Sequence, residues 1–102
     1  MVKHEARLAQ GDNGQFVLSG DVVFSTTPDL YAHCKASLKS ASDCSIDCSQ
    51  IQNIDGSCLA LLIQLRRDAL THAHALIFAN VPKHLVSLAS LSGLDSVLGF
   101  KA

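Results

Sequence analysis

The first part of the chain contains two stretches with apolar residues among polar ones, separated by a turn signal. Gly11-Asp-Asn-Gly14 divides residues 5–9 from the longer stretch Gln15–Phe24. Glycine and asparagine in this arrangement are typical of a tight turn between paired strands, so we predict a hairpin. Gly20 interrupts the second stretch and predicts a bulge or the close approach of another backbone segment.

The next pattern has helical spacing. Ser25-Thr-Thr-Pro-Asp29 offers a hydroxyl N-cap, a proline for the first helical position and an acidic residue in the first turn. Leu30, Cys34 and Leu38 then recur at i, i+4 and i+8, which gives one apolar stripe facing the core. The helix is predicted to end near residue 40, and residues 40–43 form a polar linker.

The central part of the chain predicts a strand, a loop and a buried helix. The strand runs from Cys44 to Ser49, and Asp55 is the expected N-cap of the helix. The apolar run Cys58–Leu65 indicates that the first turns of this helix are mostly buried, and the helix should end at residues 72–74. The continuous apolar stretch His74–Asn80 predicts a strand covered on both faces.

The last predicted helix follows Val81-Pro82 and spans Lys83–Ser92, with Gly93 as its stop signal. Its expected buried set is Leu85, Leu88, Ala89 and Leu91. Residues 94–100 could form a final helical turn or a short edge strand. The element order β-β-α-β-α-β-α predicts an α/β fold in which the interior strands at 44–49 and 74–80 are parallel, because a helix connects them.

Composition limits the class of protein. The 102 residues are 48% apolar and 17% charged, which predicts a single globular domain over residues 1–102. The net charge of −1 gives no electrostatic case for binding nucleic acid or an anionic membrane. No apolar run is long enough for a membrane span, and no apolar signal core follows the first basic residues. We therefore expect a cytoplasmic protein with reduced thiols.

Four cysteines and five histidines raise the question of a metal site. Cys44 and Cys48 lie in one predicted strand, roughly 13 Å apart, which is too far for two ligands of one tetrahedral ion. His72 and His74 fall at a helix end, where histidine is commonly a capping or solvated residue. The sequence therefore predicts no metal and no cofactor.

The start of the central helix contains the other candidates for chemistry. Cys58 lies in the first turn, where the helix dipole lowers a thiol pKa, yet no histidine or asparagine is locally placed as its base. The favoured interpretation of Cys58 is therefore a small buried apolar residue. Gly56 and Ser57 allow close backbone approach, and Ser57 could accept a phosphate or bond a loop N–H. Residues 66–68, Arg-Arg-Asp, are expected to form a solvated face.

Four segments together resemble a known family. They are Leu18-Ser-Gly20, Ile46-Asp-Cys-Ser49, Ile54-Asp-Gly-Ser-Cys-Leu-Ala-Leu-Leu62 and Leu88-Ala-Ser-Leu-Ser-Gly-Leu94. Their order and spacing resemble the STAS domain family, and the Leu-Ala-Leu-Leu segment is most similar to its MlaB-type branch. The resemblance covers nearly the whole chain.

The resemblance implies a mixed sheet of four to five strands with helices packed against it, and a protein that docks on a partner and is not an enzyme. The MlaB-type branch implies an ABC transporter ATPase subunit as partner, in an intermembrane phospholipid-transport system that maintains outer-membrane lipid asymmetry. The chain would then be peripheral to the inner membrane through that partner. The alternative branch implies an anti-sigma-factor antagonist that binds an anti-sigma serine kinase.

The chain departs from these relatives at the residue after Asp55. Relatives carry a serine or threonine there, which the kinase phosphorylates in the antagonist branch, whereas this chain has Gly56. Its hydroxyl is one residue later, at Ser57, about 100° further around the helix axis. Ser57 is thus a displaced candidate phosphoacceptor, and the departure favours the ATPase-binding role. The predicted partner-binding residues are Asp55, Gly56, Ser57, Cys58, Leu61 and Leu65, the two leucines as contact area that the core does not use.

Overall fold

The computed structural model describes residues 4–39 and 43–100. Its four strands are β1 (Arg7–Gln10), β2 (Gln15–Val22), β3 (Cys44–Ile54) and β4 (Leu76–Ala79). Its helices are α1 (Thr27–Leu38), α2 (Gly56–Thr71), α3 (Lys83–Leu91) and α4 (Asp95–Leu98). This order confirms the predicted α/β class, and the uncertain segment 94–100 contains a helical turn. Residues 40–42 of the predicted linker lie outside the described residues.

The four strands form one mixed sheet in the order β1-β2-β3-β4. β1 and β2 pair antiparallel, which confirms the predicted hairpin. β2 pairs with β3, and β3 with β4, in parallel, as expected for strands joined by helical crossovers. The parallel pairing places the carboxyl ends of β2 and β3 at the same edge of the sheet, where Val22 lies opposite Ile54.

Gly20 occupies the predicted irregular position in β2. Its φ of +87° lies in the left-handed region, and the register with β3 shifts between Gly20 and Asp21. A Cβ atom at this position would overlap the carbonyl group of Glu5, so the close approach of the N-terminal segment requires a glycine. Both readings of Gly20, a bulge and a close backbone approach, are confirmed.

β3 is five residues longer than the predicted strand and continues to Ile54. The polar residues after Ser49 resemble a loop in sequence, but they pair with β2 from Ser19 onward. The extension matters for the site, because it brings the chain to Asp55 at the edge of the sheet and directly into α2.

The helices cover one face of the sheet, and burial therefore alternates along the strands. In β2, Phe16, Leu18 and Val22 are buried while the intervening residues are half-buried. The prediction that the strand at 74–80 is covered on both faces is wrong, since Ile77 is 61% exposed. Ile77 lies on the face of β4 opposite the buried Leu76 and Phe78, and the run of apolar residues does not reveal that this face is exposed.

The helical stripe of α1 is confirmed, with Leu30 and Cys34 buried and Leu38 half-buried. In α3, Leu85 and Ala89 are buried and Leu88 is half-buried, but Leu91 is 88% exposed, contrary to prediction. Leu91 is the last residue of α3, just before the chain turns away at Gly93, whose φ is +71°.

The segment Arg66-Arg-Asp68 is not the uniformly solvated face that the sequence predicts. Arg66 is half-buried, and its Nη1 donates to the carbonyl of Leu76 at 2.8 Å and to that of Leu98 at 3.2 Å. This guanidinium therefore ties α2 to both β4 and α4. The Asp68 carboxylate accepts a hydrogen bond from the Tyr31 hydroxyl at 2.7 Å, which links α2 to α1. Arg67 is exposed, as expected.

Candidate functional site

Asp55 organises the start of α2 with both of its carboxylate oxygens. Oδ1 accepts a hydrogen bond from the backbone N–H of Ser57 at 2.8 Å, which confirms Asp55 as the N-cap. Oδ2 accepts one from the backbone N–H of Phe24 at 3.0 Å. One side chain thus holds both the first turn of the helix and the segment that leaves β2, because the two strands end side by side.

Gly56, the first residue of α2, is exposed and has open space around it. A Cβ atom at Gly56 would meet no atom within 4 Å, and the backbone there does not require a positive φ. The glycine is therefore not imposed by the fold of the chain itself. The neighbouring Ser57 is half-buried.

Three of the predicted contact residues belong to the core. Cys58 is fully buried, which confirms its interpretation as a small apolar core residue. Leu61 and Leu65 are 4% and 2% exposed, so the expectation that the core does not use these two leucines is wrong. The physical reason is that α2 contacts α1, α3 and α4 as well as lying over the sheet, so the core surrounds more of its circumference than one stripe.

Burial also determines the chemistry of Cys58. Desolvation, with smaller contributions from Cys48 and Asp55, raises the pKa of the Cys58 thiol to about 12. This is opposite to the lowering that the helix dipole alone would produce. A buried, protonated thiol is a poor nucleophile, so the structure gives no support to a thiol enzyme built on Cys58.

Phe24 is the site residue that the sequence reading missed. Its side chain is 79% exposed, although it comes only two residues after β2, which ends at the buried Val22. Its backbone N–H donates to Asp55, so the Phe24 backbone is held next to the N-cap of α2 while its ring is exposed. The signal was present in the sequence as an apolar residue at the junction between a strand end and the N-cap segment of α1.

Small residues continue from this junction along the exposed side of α2. Gly56 and Ala60, at i and i+4, are both exposed and lie on the same side of the helix. We call Phe24, Gly56, Ser57 and Ala60 the α2-start surface. It combines one large exposed apolar side chain with a stretch of helix that another backbone can approach closely.

The four cysteines are free thiols, three of them buried and Cys44 half-buried. Within residues 4–39 and 43–100, no group of three or more histidine, cysteine or acidic side chains is arranged to hold a metal ion. In the same described part of the chain, no helix has the length and apolar character to cross a membrane.

Comparison with known proteins identifies the family. The family model described as "Mlab, STAS domain" matches residues 6–99. No curated protein matches the chain by sequence similarity.

Solved structures share the fold at low identity. The anti-sigma factor antagonist SpoIIAA in its unphosphorylated form is 15% identical, with a TM-score of 0.70 over 95% of this chain and 99% of that chain. The Bacillus cell fate determinant SpoIIAA in its phosphorylated form, also 15% identical, gives a TM-score of 0.68 over 89% and 86%. The murine solute carrier 26 family member A9 anion transporter, 14% identical, gives 0.68 over 86% of this chain and 15% of that chain.

Proposed function

The chain belongs to the STAS domain family, and from this premise we propose that it is a non-catalytic, MlaB-like subunit of an intermembrane phospholipid-transport system. In this role it docks on the ABC transporter ATPase subunit and is held at the inner membrane by that partner. The observation that carries the proposal is the family match, which names MlaB and spans residues 6–99. The α2-start surface is the proposed contact.

The geometry of the α2-start surface suits a docking role. Phe24 supplies a large apolar side chain that the core of this chain does not bury, and aromatic residues are enriched in interface cores. Gly56 and Ala60 present little side chain, so a partner can approach the helix backbone. Asp55 fixes the helix start relative to Phe24 and reduces the conformational entropy that binding would otherwise cost.

The absence of a hydroxyl at Gly56 favours this role over a phosphorylation switch. In an anti-sigma-factor antagonist, a phosphate on the residue after the aspartate would add about −1.5 to −2 charge and disrupt the complex. A docking subunit needs no such acceptor. By preferring one conformation of the ATPase, it shifts the ATPase toward that conformation in proportion to its differential affinity.

The antagonist alternative rests on the similarity of fold to SpoIIAA and on Ser57, the hydroxyl nearest to the family position. Ser57 is half-buried, and its backbone N–H is bonded to Asp55. In this alternative, Ser57 is the phosphoacceptor for an anti-sigma serine kinase.

Gly56→Glu tests the proposed contact. The new side chain has room to extend into solvent, so the domain should fold, while a charge at the centre of the interface should abolish co-purification with the ABC ATPase subunit. We expect at least about a hundredfold loss of affinity, consistent with the truncation or charging of an interface hot spot.

Ala36→Glu is the matched control, since it places the same charge at an exposed small residue of α1 and should leave co-purification intact. Retained binding by folded Gly56→Glu would reject the α2-start surface. Failure of the wild-type chain to bind the ATPase, together with phosphate added to Ser57 by a serine kinase and seen by intact mass, would favour the antagonist instead.

A further inference from the structure

A cavity of about 240 Å³ lies at the opposite end of α2 from the proposed contact. It is bounded by the last turns of α1 and α2 and by the first residues of β3 and β4. Its apolar lining is continuous with the core and consists of Leu38, Cys44, Leu65, Ala69 and Leu76. An apolar cavity of this size forgoes packing that the interior of a small domain normally has, which makes it a candidate for a ligand.

The same cavity is bordered by basic side chains. Lys35, Lys39 and His72 are exposed, and His74 is half-buried. Basic residues near helix C-termini commonly complement the helix dipole, so the lysines alone do not define a site. Their position around an apolar cavity is the second and independent observation.

Asp68 is the acidic residue among those that line the cavity, and it already has partners. Its two oxygens accept hydrogen bonds from the Tyr31 hydroxyl at 2.7 Å and the Gln64 amide at 3.0 Å. The Lys35 ammonium lies 6.0 Å from the centre of the Tyr31 ring, where a cation–π contact is weak at an exposed site. Asp43, next to the lining residue Cys44, offsets part of the lysine charge, but its Oδ1 accepts a hydrogen bond from the backbone N–H of Ala75 at 2.9 Å. Within the described residues neither Lys35 nor Lys39 forms an ion pair, so both ammonium groups are available to an anion beside the apolar lining.

We propose that this cavity binds a single-chain anionic amphiphile, of which a medium-chain fatty acid is the simplest example. The alkyl chain occupies the apolar part, and the carboxylate lies at the Lys35 and Lys39 ammonium groups. An apolar cavity of about 150 Å³ accommodates benzene, so a volume of about 240 Å³ accommodates roughly eight to ten carbons. The ligand carries its charge at one end and its alkyl chain at the other, which matches the lysines at the border of the cavity and its apolar lining.

This inference does not rest on the docking proposal, because the two sites use different residues at different ends of α2. Titration of the wild-type chain with decanoate, followed by calorimetry, tests it. We expect one decanoate per chain with a Kd on the order of 0.1 mM, as is reasonable for so small a ligand. Decyltrimethylammonium, with the same chain and the opposite charge, should bind at least about tenfold more weakly.

Two variants separate the apolar and the electrostatic contributions. Ala69→Phe fills the cavity and should abolish decanoate binding, whereas Lys39→Glu should weaken it about tenfold. Lys83→Glu is the matched control, because Lys83 begins α3 beyond the other end of β4 and should not change the affinity.

A measurement on the unmodified chain avoids any dependence on how Ala69→Phe folds. Cys44 lines the cavity and is half-buried, whereas the other three cysteines are buried, so a small alkylating reagent should react first at Cys44. Decanoate should slow this alkylation several-fold, and decyltrimethylammonium should not. The proposal is overturned if decanoate gives neither heat of binding nor protection of Cys44, or if both ligands act equally.

Discussion

The two ends of α2 are closed in different ways. At the start, the Asp55 side chain bonds both the helix and the Phe24 segment, and a buried thiol lies directly beneath, at Cys58. At the end of α2, the helix is closed by its own last residues and those just after it. The N–H of Ala73 bonds the carbonyl of Leu70 and that of His74 bonds the carbonyl of Ala69, which is a Schellman arrangement. The Thr71 hydroxyl and a ring nitrogen of His72 also bond carbonyls of the last turns. A cavity remains beside that end.

The way each end of α2 is closed determines whether that end offers a binding surface or a cavity. A side-chain cap draws a neighbouring segment against the helix, so the start of α2 is filled inside and presents its features outward, as the α2-start surface. The local cap at the end satisfies the last carbonyl groups without drawing in another segment. The end of α2 therefore retains a cavity whose apolar lining is continuous with the core and whose rim carries exposed basic side chains.

The largest expected effect is a pH dependence of the free energy of unfolding, which would sharpen the contrast between the two ends of α2. Burial raises the pKa of Cys58 from 9.0 to about 12, so the folded state holds its proton more tightly. Its contribution is fully present below pH 9 and is lost as the pH rises toward 12, by about 1.4 kcal/mol per pH unit and about 4 kcal/mol in all. Urea unfolding across this range should show a decline that is shallower in Cys58→Ala.

Cys44→Ala is the comparison for that experiment. Burial, followed by the charge of Asp43, also raises the pKa of Cys44, but this thiol is only half-buried. Its removal should change the pH dependence less than the removal of Cys58. Equal changes for the two variants would contradict the view that the start of α2 is more tightly filled than its end.

A smaller effect is expected from Asp55→Ala, which removes the acceptors for both Ser57 and Phe24. Loss of an N-cap alone costs about 1 kcal/mol, and loss of the second bond should bring the decrease in the free energy of unfolding to about 1–2 kcal/mol. Urea denaturation measures it. Asp29→Ala, at an exposed acid in the first turn of α1, should cost about 0.5 kcal/mol or less; an equal cost would show that the Asp55 bonds contribute little.

The smallest expected effect on the free energy of unfolding concerns the C-terminal end of α2. Ala73 has a φ of +57°, in the left-handed region that disfavours a residue with a Cβ. Ala73→Gly should therefore raise the free energy of unfolding by about 0.5–1 kcal/mol, after allowance for the extra freedom of glycine in the unfolded chain. A thermal melt of this variant should rise, whereas Ala36→Gly, in the exposed interior of α1, should melt lower. A fall for Ala73→Gly would contradict the backbone closure.

Local chemistry in the sequence was sufficient for much of the fold. The turn at residues 11–14, the irregular position of Gly20 and the N-cap role of Asp55 each depend on the properties of one or two residues, and each prediction is confirmed. The parallel pairing of β3 and β4 followed from the helix between them.

Features that depend on residues distant in the sequence could not be predicted from local chemistry. The polar residues after Ser49 become part of β3 only because β2 lies beside them. Ile77 is exposed because it lies on the face of β4 opposite the buried Leu76 and Phe78.

Leu61 and Leu65 are buried because other helices surround α2, which its own apolar pattern does not reveal. Tertiary packing therefore buries these two predicted contact residues in the core. The exposed apolar side chain at the site is Phe24 instead.

Asp55 accepts two hydrogen bonds, one from the helix and one from the Phe24 segment, and this limits which residues can replace it. Serine, threonine and asparagine are all good helix N-caps, but each offers a single side-chain oxygen. With any of them, both N–H groups would have to share one oxygen, whereas Asp55 gives each donor its own oxygen. Natural variation at position 55 should therefore be narrower than helix capping alone would permit, and a change there would be accompanied by a change in the segment that carries Phe24.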